Sequence, residues 1–262
     1  MKPFLELRNV HVWRGDEAEV HALRGVSVTL HEGESVAILG PNGSGKSTLL
    51  KLITGEVRAA YEADSACELF GEELWNLEEL RHRIGVVMPE EVQRFDAHQE
   101  AFETVLSALR GAYGLVRGMR FRAVEREAAW AAVRRMGIEP LAGREYGALS
   151  SGEKRRFLIA RALVHQPGVL VLDEASTALD FAAAAILMRA LRDLHKSGTT
   201  LVLVTHHPAE IPPEVERVIL MRGGEIVADG PKRRVLDSRS MSRVFGVPLK
   251  VSWHRGWCQV QG

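Results

Sequence analysis

Apolar residues along the chain gather into short Val-, Ile- and Leu-rich runs bounded by Gly, Pro or Asp, the pattern of strands. The runs lie at Leu5–Val12, Val26–Leu30, Ser35–Leu39, Glu68–Phe70, Ile84–Val87, Val169–Leu172, Leu201–Thr205, Val218–Met221 and Ile226–Ala228. Those at 35–39, 84–87, 169–172 and 201–205 are apolar almost throughout, which suits parallel strands covered on both faces. Helical stretches fall between them, at Lys46–Ile53, Gln99–Arg110, Val124–Met136, Gly152–Val164 and Ala182–Lys196. Strands alternating with helices predict an α/β fold with a mostly parallel sheet. Residues 91–150 hold helical segments and no strand pattern, so a helical lobe is expected there, with turns at Gly111, Gly114 and Gly118. The expectation is one domain over 1–262, with its core in about 1–90 and 151–262.

Composition narrows this. A chain of 262 residues with 46% hydrophobic and 26% charged residues is ordinary globular material, long enough for one large core. Its 34 basic and 34 acidic residues cancel, which argues against a nucleic-acid-coating role, so no nucleic acid partner is expected. No apolar run reaches the roughly 18 residues a membrane span needs. The opening "MKPFLELRNVHV" alternates like a strand and lacks the apolar core of a secretory leader, so a cytoplasmic location is expected. Cys67 and Cys258 have no metal-like spacing and read as reduced thiols.

The chemistry begins at "GPNGSGKST", Gly40–Thr48, which matches G-x-x-x-x-G-K-[ST] between an expected strand and an expected helix. Asn42, Gly43, Ser44, Gly45, Lys46, Ser47 and Thr48 are the nucleotide-binding candidates. Glycines let successive N–H groups turn inward around phosphate oxygens, and the helix N-terminus adds positive potential. Lys46 would place its charge on the β- and γ-phosphates, and Ser47 its hydroxyl on Mg²⁺. A plain Gly-rich turn is the alternative, and the strand–loop–helix context disfavours it. "VLVLDE", Val169–Glu174, sends two carboxylates to the C-terminal edge of a buried strand. Asp173 would hold Mg²⁺ and Glu174 would polarise the attacking water; a helix N-cap pair is the plainer alternative. "LVLVTHH", Leu201–His207, repeats the arrangement and offers His206 to a γ-phosphate. In "LSSGEKRRFLIARAL", Leu149–Leu163, Ser150 and Ser151 cap a helix whose N-terminus is a second anion site. That helix is too apolar to lie free on the surface.

Order and spacing of these motifs resemble the ATP-binding cassette (ABC) family over nearly the whole chain. The resemblance implies a P-loop NTPase core, an N-terminal antiparallel β subdomain, ATP and Mg²⁺ as ligands, ATPase activity, and a head-to-tail homodimer sandwiching two ATP. It implies that Ser150, Ser151, Gly152 and Glu153 close over the partner's ATP; serine and glutamate here replace the family's first glycine and its glutamine. It implies that Trp13 stacks on adenine, that Asp180 in "STALD" lies in the loop crossing the dimer interface, and that His206 is the switch histidine. Two roles compete: the ATPase subunit of a transporter, peripheral at the inner face of the membrane through a permease, and a soluble cassette that moves no solute. Repair cassettes carry long heptad insertions and translation cassettes carry two cassettes per chain, and neither is found in the sequence. The tail "MSRVFGVPLKVSW" is similar to the ending of small uptake cassettes for metal chelates and cofactors. "TVLSALRGAYGLV" and "LFGEEL" resemble a subgroup associated with molybdate uptake or photorepair.

One stretch departs from the family. After the strand at Ile84–Val87 the family places a glutamine that touches Mg²⁺ and the attacking water. Counting puts that position at Pro89 or Glu90 in "MPEEVQ". Either Gln93 reaches the metal across a bulged loop, or Glu90 replaces the glutamine, or the contact is missing. Gln93 is the favoured candidate, because a neutral amide adds no negative charge beside ATP.

Overall fold

The protein is described from a computed structural model over residues 2–15, 20–176 and 179–262. Strands β1 (Pro3–Arg14) and β2 (Val20–His31) alternate buried and exposed side chains, with Leu5, Leu7, Val10 and Val12 inward from one and Leu23, Val26, Val28 and Leu30 from the other. They pair antiparallel, with register shifts between Leu7 and Trp13. Strand β3 (Val36–Leu39) enters the second sheet and feeds helix α1 (Lys46–Ile53). Strand β4 (Ala66–Leu69) returns to β1, giving a three-stranded antiparallel sheet in the order β2-β1-β4. Helix α2 (Leu77–Arg83) leads into β5 (Ile84–Val87).

Residues 91–150 carry helices α3 (Ala101–Leu106) and α4 (Ala123–Arg135) and no strand, as the pattern predicts. Helix α5 (Ser151–Leu163), β6 (Val169–Asp173), α6 (Phe181–Lys196) and β7 (Thr200–Thr205) restore the α/β alternation. Strands β8 (Arg217–Arg222) and β9 (Glu225–Pro231) close the six-stranded sheet, ordered β5-β6-β7-β3-β8-β9, parallel except for β9. Helices α7 (Lys232–Val235) and α8 (Ser238–Phe245) and the hairpin of β10 (Lys250–His254) and β11 (Trp257–Gln261) finish the chain.

The near-continuous apolar runs have a direct cause. Alternate residues of the central strands serve two separate cores. Ala37, Leu39, Leu170, Leu172, Leu201 and Leu203 face α3, α4, α5 and α6. Val36, Ile38, Val169, Val171, Val202 and Val204 face α1 and the antiparallel sheet. Each such Leu, Ile or Val side chain contributes about 1.5–3 kcal/mol on burial, so neither parity tolerates a polar residue. Among the described residues no helix is long and apolar enough to cross a membrane. Cys67 and Cys258 are free thiols, and burial pushes both up to about 11, so they are inert at neutral pH.

Three differences from the sequence pattern are informative. The stretch expected as one helix over Gln99–Arg110 is α-helical only over Ala101–Leu106 and tightens to a 3₁₀ turn over Ser107–Arg110. Gln99 is held out because its carbonyl accepts from the Tyr146 N–H at 2.9 Å, and Thr104 and Ser107 donate back to carbonyls three residues earlier, which tightens the helix. Helices α2 and α8 are capped by Asn76 and Asp237, whose side chains accept from Glu78 N–H and from Arg239 and Ser240 N–H. The terminal hairpin turns at Arg255 and Gly256, both at positive φ, a two-residue turn matched to strand twist.

Candidate functional site

Four neighbouring strands end level with one another. Val87 of β5 pairs with Leu172 of β6, Asp173 with Val204 of β7, and Leu39 of β3 with Thr205. Their next residues therefore emerge along one sheet edge: Met88–Glu90, Asp173–Glu174, Thr205–His206 and the Gly40–Thr48 loop. This is the C-terminal edge at which α/β sheets bind ligands.

The loop is a formed cradle. Gly45 takes φ 102°, and a Cβ there would lie 2.9 Å from the Ala22 carbonyl, so only glycine fits between the loop and β2. Asn42, Gly43 and Ser47 are exposed at its mouth, while Ser44, Lys46 and Thr48 are buried. Lys46 Nζ donates to the Gly40 and Pro41 carbonyls at 2.8 and 2.9 Å, which fixes its ammonium over the loop. Burial pulls the lysine below its ordinary range, and the Glu174 and Asp173 carboxylates push the other way. Ser44 Oγ is buried without a hydrogen-bond partner among the described residues. An orphaned hydroxyl, a lysine and a turn of helix N–H groups are a donor set that fits a polyphosphate.

The carboxylates differ in environment. Asp173 is pushed up to about 6, chiefly by burial and then by the Glu174 and Glu90 charges, with Lys46 and Arg155 opposing. Ser47 and Asp173 present hard oxygen donors at the cradle edge, the chemistry that suits Mg²⁺. Glu174 sits at φ 45°, an uncommon conformation for a side-chain-bearing residue, and its N–H donates to the Val204 carbonyl at 2.8 Å. Its Oε1 lies 2.8 Å from His206 Nδ1. A carboxylate only accepts, so Nδ1–H is the donor and Nε2 faces away from the pair.

Around this edge the expected residues separate. Trp13 lies at the end of β1, 46% exposed. Ser150 and Ser151 are exposed at the start of α5, and Gly152 is buried. Glu153 does not project as a free charge. It closes a capping box, accepting from Ser150 N–H at 2.7 Å while Ser150 Oγ accepts from Glu153 N–H at 3.3 Å. That backbone bond, more than Arg144 or Arg156, holds the Glu153 carboxyl below its ordinary range. Asp180 caps α6 by accepting from Ala183 N–H at 2.7 Å; residues 177 and 178 of its motif lie outside the described residues. A Cβ on Gly152 would fall 2.6 Å from Ala183 Cβ, so the starts of α5 and α6 are locked together.

The stretch after β5 is a 3₁₀ helix, Pro89–Arg94, not a bulged loop. Gln93 is exposed, and no described hydrogen bond joins it to Asp173 or Glu174. Glu90 is exposed as well, and its charge is one of those that raise Asp173, after burial and Glu174. Glu91 turns inward, accepting from Met88 N–H at 3.2 Å and from Tyr113 OH at 2.9 Å.

Two features escaped the sequence reading. Arg155, one of three consecutive basic residues, is buried, with one guanidinium nitrogen unpartnered among the described residues and with the Tyr146 phenol and the Asp173, Glu90 and Glu91 carboxylates around it. Residues 97–102 and 142–147 are clasped: Gly147 N–H donates to Ala97 O at 2.7 Å, Tyr146 to Gln99, Ala101 to Arg144 and Phe102 to Ala142. Nothing local marks such pairings between distant loops.

The family model described as ABC transporter matches residues 23–177, a span holding the cradle, the capped start of α5 and both carboxylates. The chain is 32% identical over 255 residues to YmeB of Lactococcus lactis subsp. lactis, an uncharacterized ABC transporter ATP-binding protein, covering 96% of this chain and 95% of YmeB. It is similar to the structure of cbiO1 from Clostridium perfringens, part of the ABC transporter complex cbiONQ, with TM-score 0.77, 26% identity and coverage of 93% and 94%. It is also similar to the dimeric post-hydrolysis state of the ATP-binding cassette MJ0796 bound to ADP and Pi, with TM-score 0.72, 28% identity and coverage of 87% and 99%.

Proposed function

The chain belongs to the ABC transporter family of ATP-binding cassettes, and from that membership we propose how its residues divide the work of an ATPase subunit that drives transport. The observation that carries the proposal is the convergence of four strand ends, with Glu174 bonded to His206 beside the Lys46 cradle. ATP lies with its phosphates in Asn42–Thr48 and its base on Trp13. Lys46 stabilises charge on the β- and γ-phosphates. Ser47 and Asp173 would hold Mg²⁺, which when bound neutralises the phosphate oxygens. Glu174 orients the attacking water and accepts its proton. The water oxygen bonds to the γ-phosphorus, and the bond to the bridging oxygen breaks, leaving ADP and phosphate. His206 fixes Glu174 through Nδ1–H. A ring that also donates from Nε2 to the γ-phosphate is the imidazolium.

A second copy completes the site. Ser150, Ser151 and Asp180 are exposed, and Phe181, directly after Asp180, is 99% exposed. Together they offer one polar and apolar face through the locked α5 and α6 starts. This supports a head-to-tail dimer in which the signature of one copy closes over the ATP of the other. An integral membrane permease is the further partner, placing the subunit at the inner membrane face. Affinity purification from detergent-solubilised membranes tests that partner. The expected result is a stoichiometric integral membrane protein that raises the ATPase rate; recovery solely as a soluble homodimer with an unchanged rate would favour a cassette that moves no solute.

A further inference from the structure

Trp13 does not stand alone at the end of β1. Its ring lies parallel to His21, with centroids 3.9 Å apart and planes at 10°. His21 in turn stacks on His11 at 5.1 Å and 25°. Strand geometry explains the ladder: His11 and Trp13 are two apart on β1 and share a face, and His21 is the residue of β2 directly opposite Trp13. Hydrogen bonds fix its far end. His11 Nε2 lies 3.2 Å from Asn9 Oδ1, an acceptor, so His11 carries its proton on Nε2. Its Nδ1 then accepts from His21 Nε2–H at 2.9 Å. One face of the indole is thus covered at van der Waals distance by a ring held in place, while the side chain stays 46% exposed. The ladder is also tied to the cradle, because Ala22, next to His21, presents the carbonyl that Gly45 packs against.

We propose that His21 is a positioning residue for the nucleobase: it backs Trp13 on one face and holds the other ready for a purine ring. An exposed tryptophan samples several rotamers, and ordering it on binding weakens affinity. A stacked partner removes that loss before the nucleotide arrives. The inference rests on the reading of Trp13 as the adenine platform, and its test separates the two. Affinities of the full chain for ATP and for inorganic triphosphate are measured by calorimetry in wild type, His21→Ala, His21→Phe and Trp13→Ala. Triphosphate has no base, so it reports the cradle alone. His21→Ala is expected to weaken ATP roughly three- to tenfold, leave triphosphate unchanged, and be rescued by His21→Phe. Unchanged or tighter ATP binding in His21→Ala overturns the inference, the latter because His21 would then cover the face the base needs. An equal loss for triphosphate also overturns it, since the effect would belong to the cradle. If Trp13→Ala leaves the ratio of ATP to triphosphate affinity untouched, the platform reading fails and takes this inference with it. If Trp13→Ala lowers the ratio and His21→Ala does not, the backing role alone fails.

Discussion

Two departures from the family pattern lie at single residues. A carboxylate at Glu153, next to where a triphosphate is expected, looks like a cost in sequence, yet the structure uses it as half of a capping box. Removing the other half, Ser150→Ala, would forfeit about 1 kcal/mol of that helix end. Glu90 and Gln93 are the second case. The 3₁₀ turn leaves both side chains exposed, and the Glu90 charge is among those that raise Asp173. Glu90→Ala is therefore expected to change steady-state MgATP hydrolysis about tenfold, and Gln93→Ala less than about twofold, since a group that orients the metal or water acts on the chemical step. The reverse ranking would return the sensing role to Gln93. The cradle, Asp173, Glu174 and His206 were legible because each is set by its own strand and the turn after it. The Glu90–Gln93 question was not, because it depends on which way one turn winds.

Elements carry the link between the site and the helical lobe. The 3₁₀ helix after β5 runs into Ala97–Phe102, whose backbone is clasped by residues 142–147, and four residues later the signature helix α5 begins. Backbone hydrogen bonds therefore join the segment that follows β5 to the residues just before Ser150. Gly147 is the tightest point: a Cβ there would lie 2.9 Å from the Ala97 carbonyl and 2.8 Å from its Cβ. Gly147→Ala should destabilise the protein by about 1–3 kcal/mol, read as a lower urea midpoint. ATP hydrolysis should fall further than the cradle's affinity for triphosphate, and equal losses in both would mean that the clasp does not communicate with the signature. The alternation of α and β elements was readable because the period of apolar residues differs between them. The shortened α3, the capped α2 and the terminal hairpin were missed because distant loops, cap side chains and a two-residue turn decide them.

At the scale of the whole molecule, one protomer carries the cradle, the carboxylates and the histidine on a single edge, and presents Ser150, Ser151, Asp180 and Phe181 outward. That division is what the proposed head-to-tail dimer would use, with hydrolysis then a property of two copies. Fold and family were legible in sequence because motif order over most of the chain encodes strand order in the sheet. The proposed membrane partner and any solute it moves would be specified by surfaces on other chains, so no pattern in this one names them. The central claim is that Glu174, held by His206, activates water at a site that binds ATP without it. It is tested most directly by comparing Glu174→Gln with wild type in MgATP hydrolysis, alongside equilibrium ATP binding and light-scattering mass. The variant should bind ATP as wild type does, hydrolyse it at least about 100-fold more slowly, and accumulate as an ATP-bound dimer. Full turnover by Glu174→Gln would contradict the account.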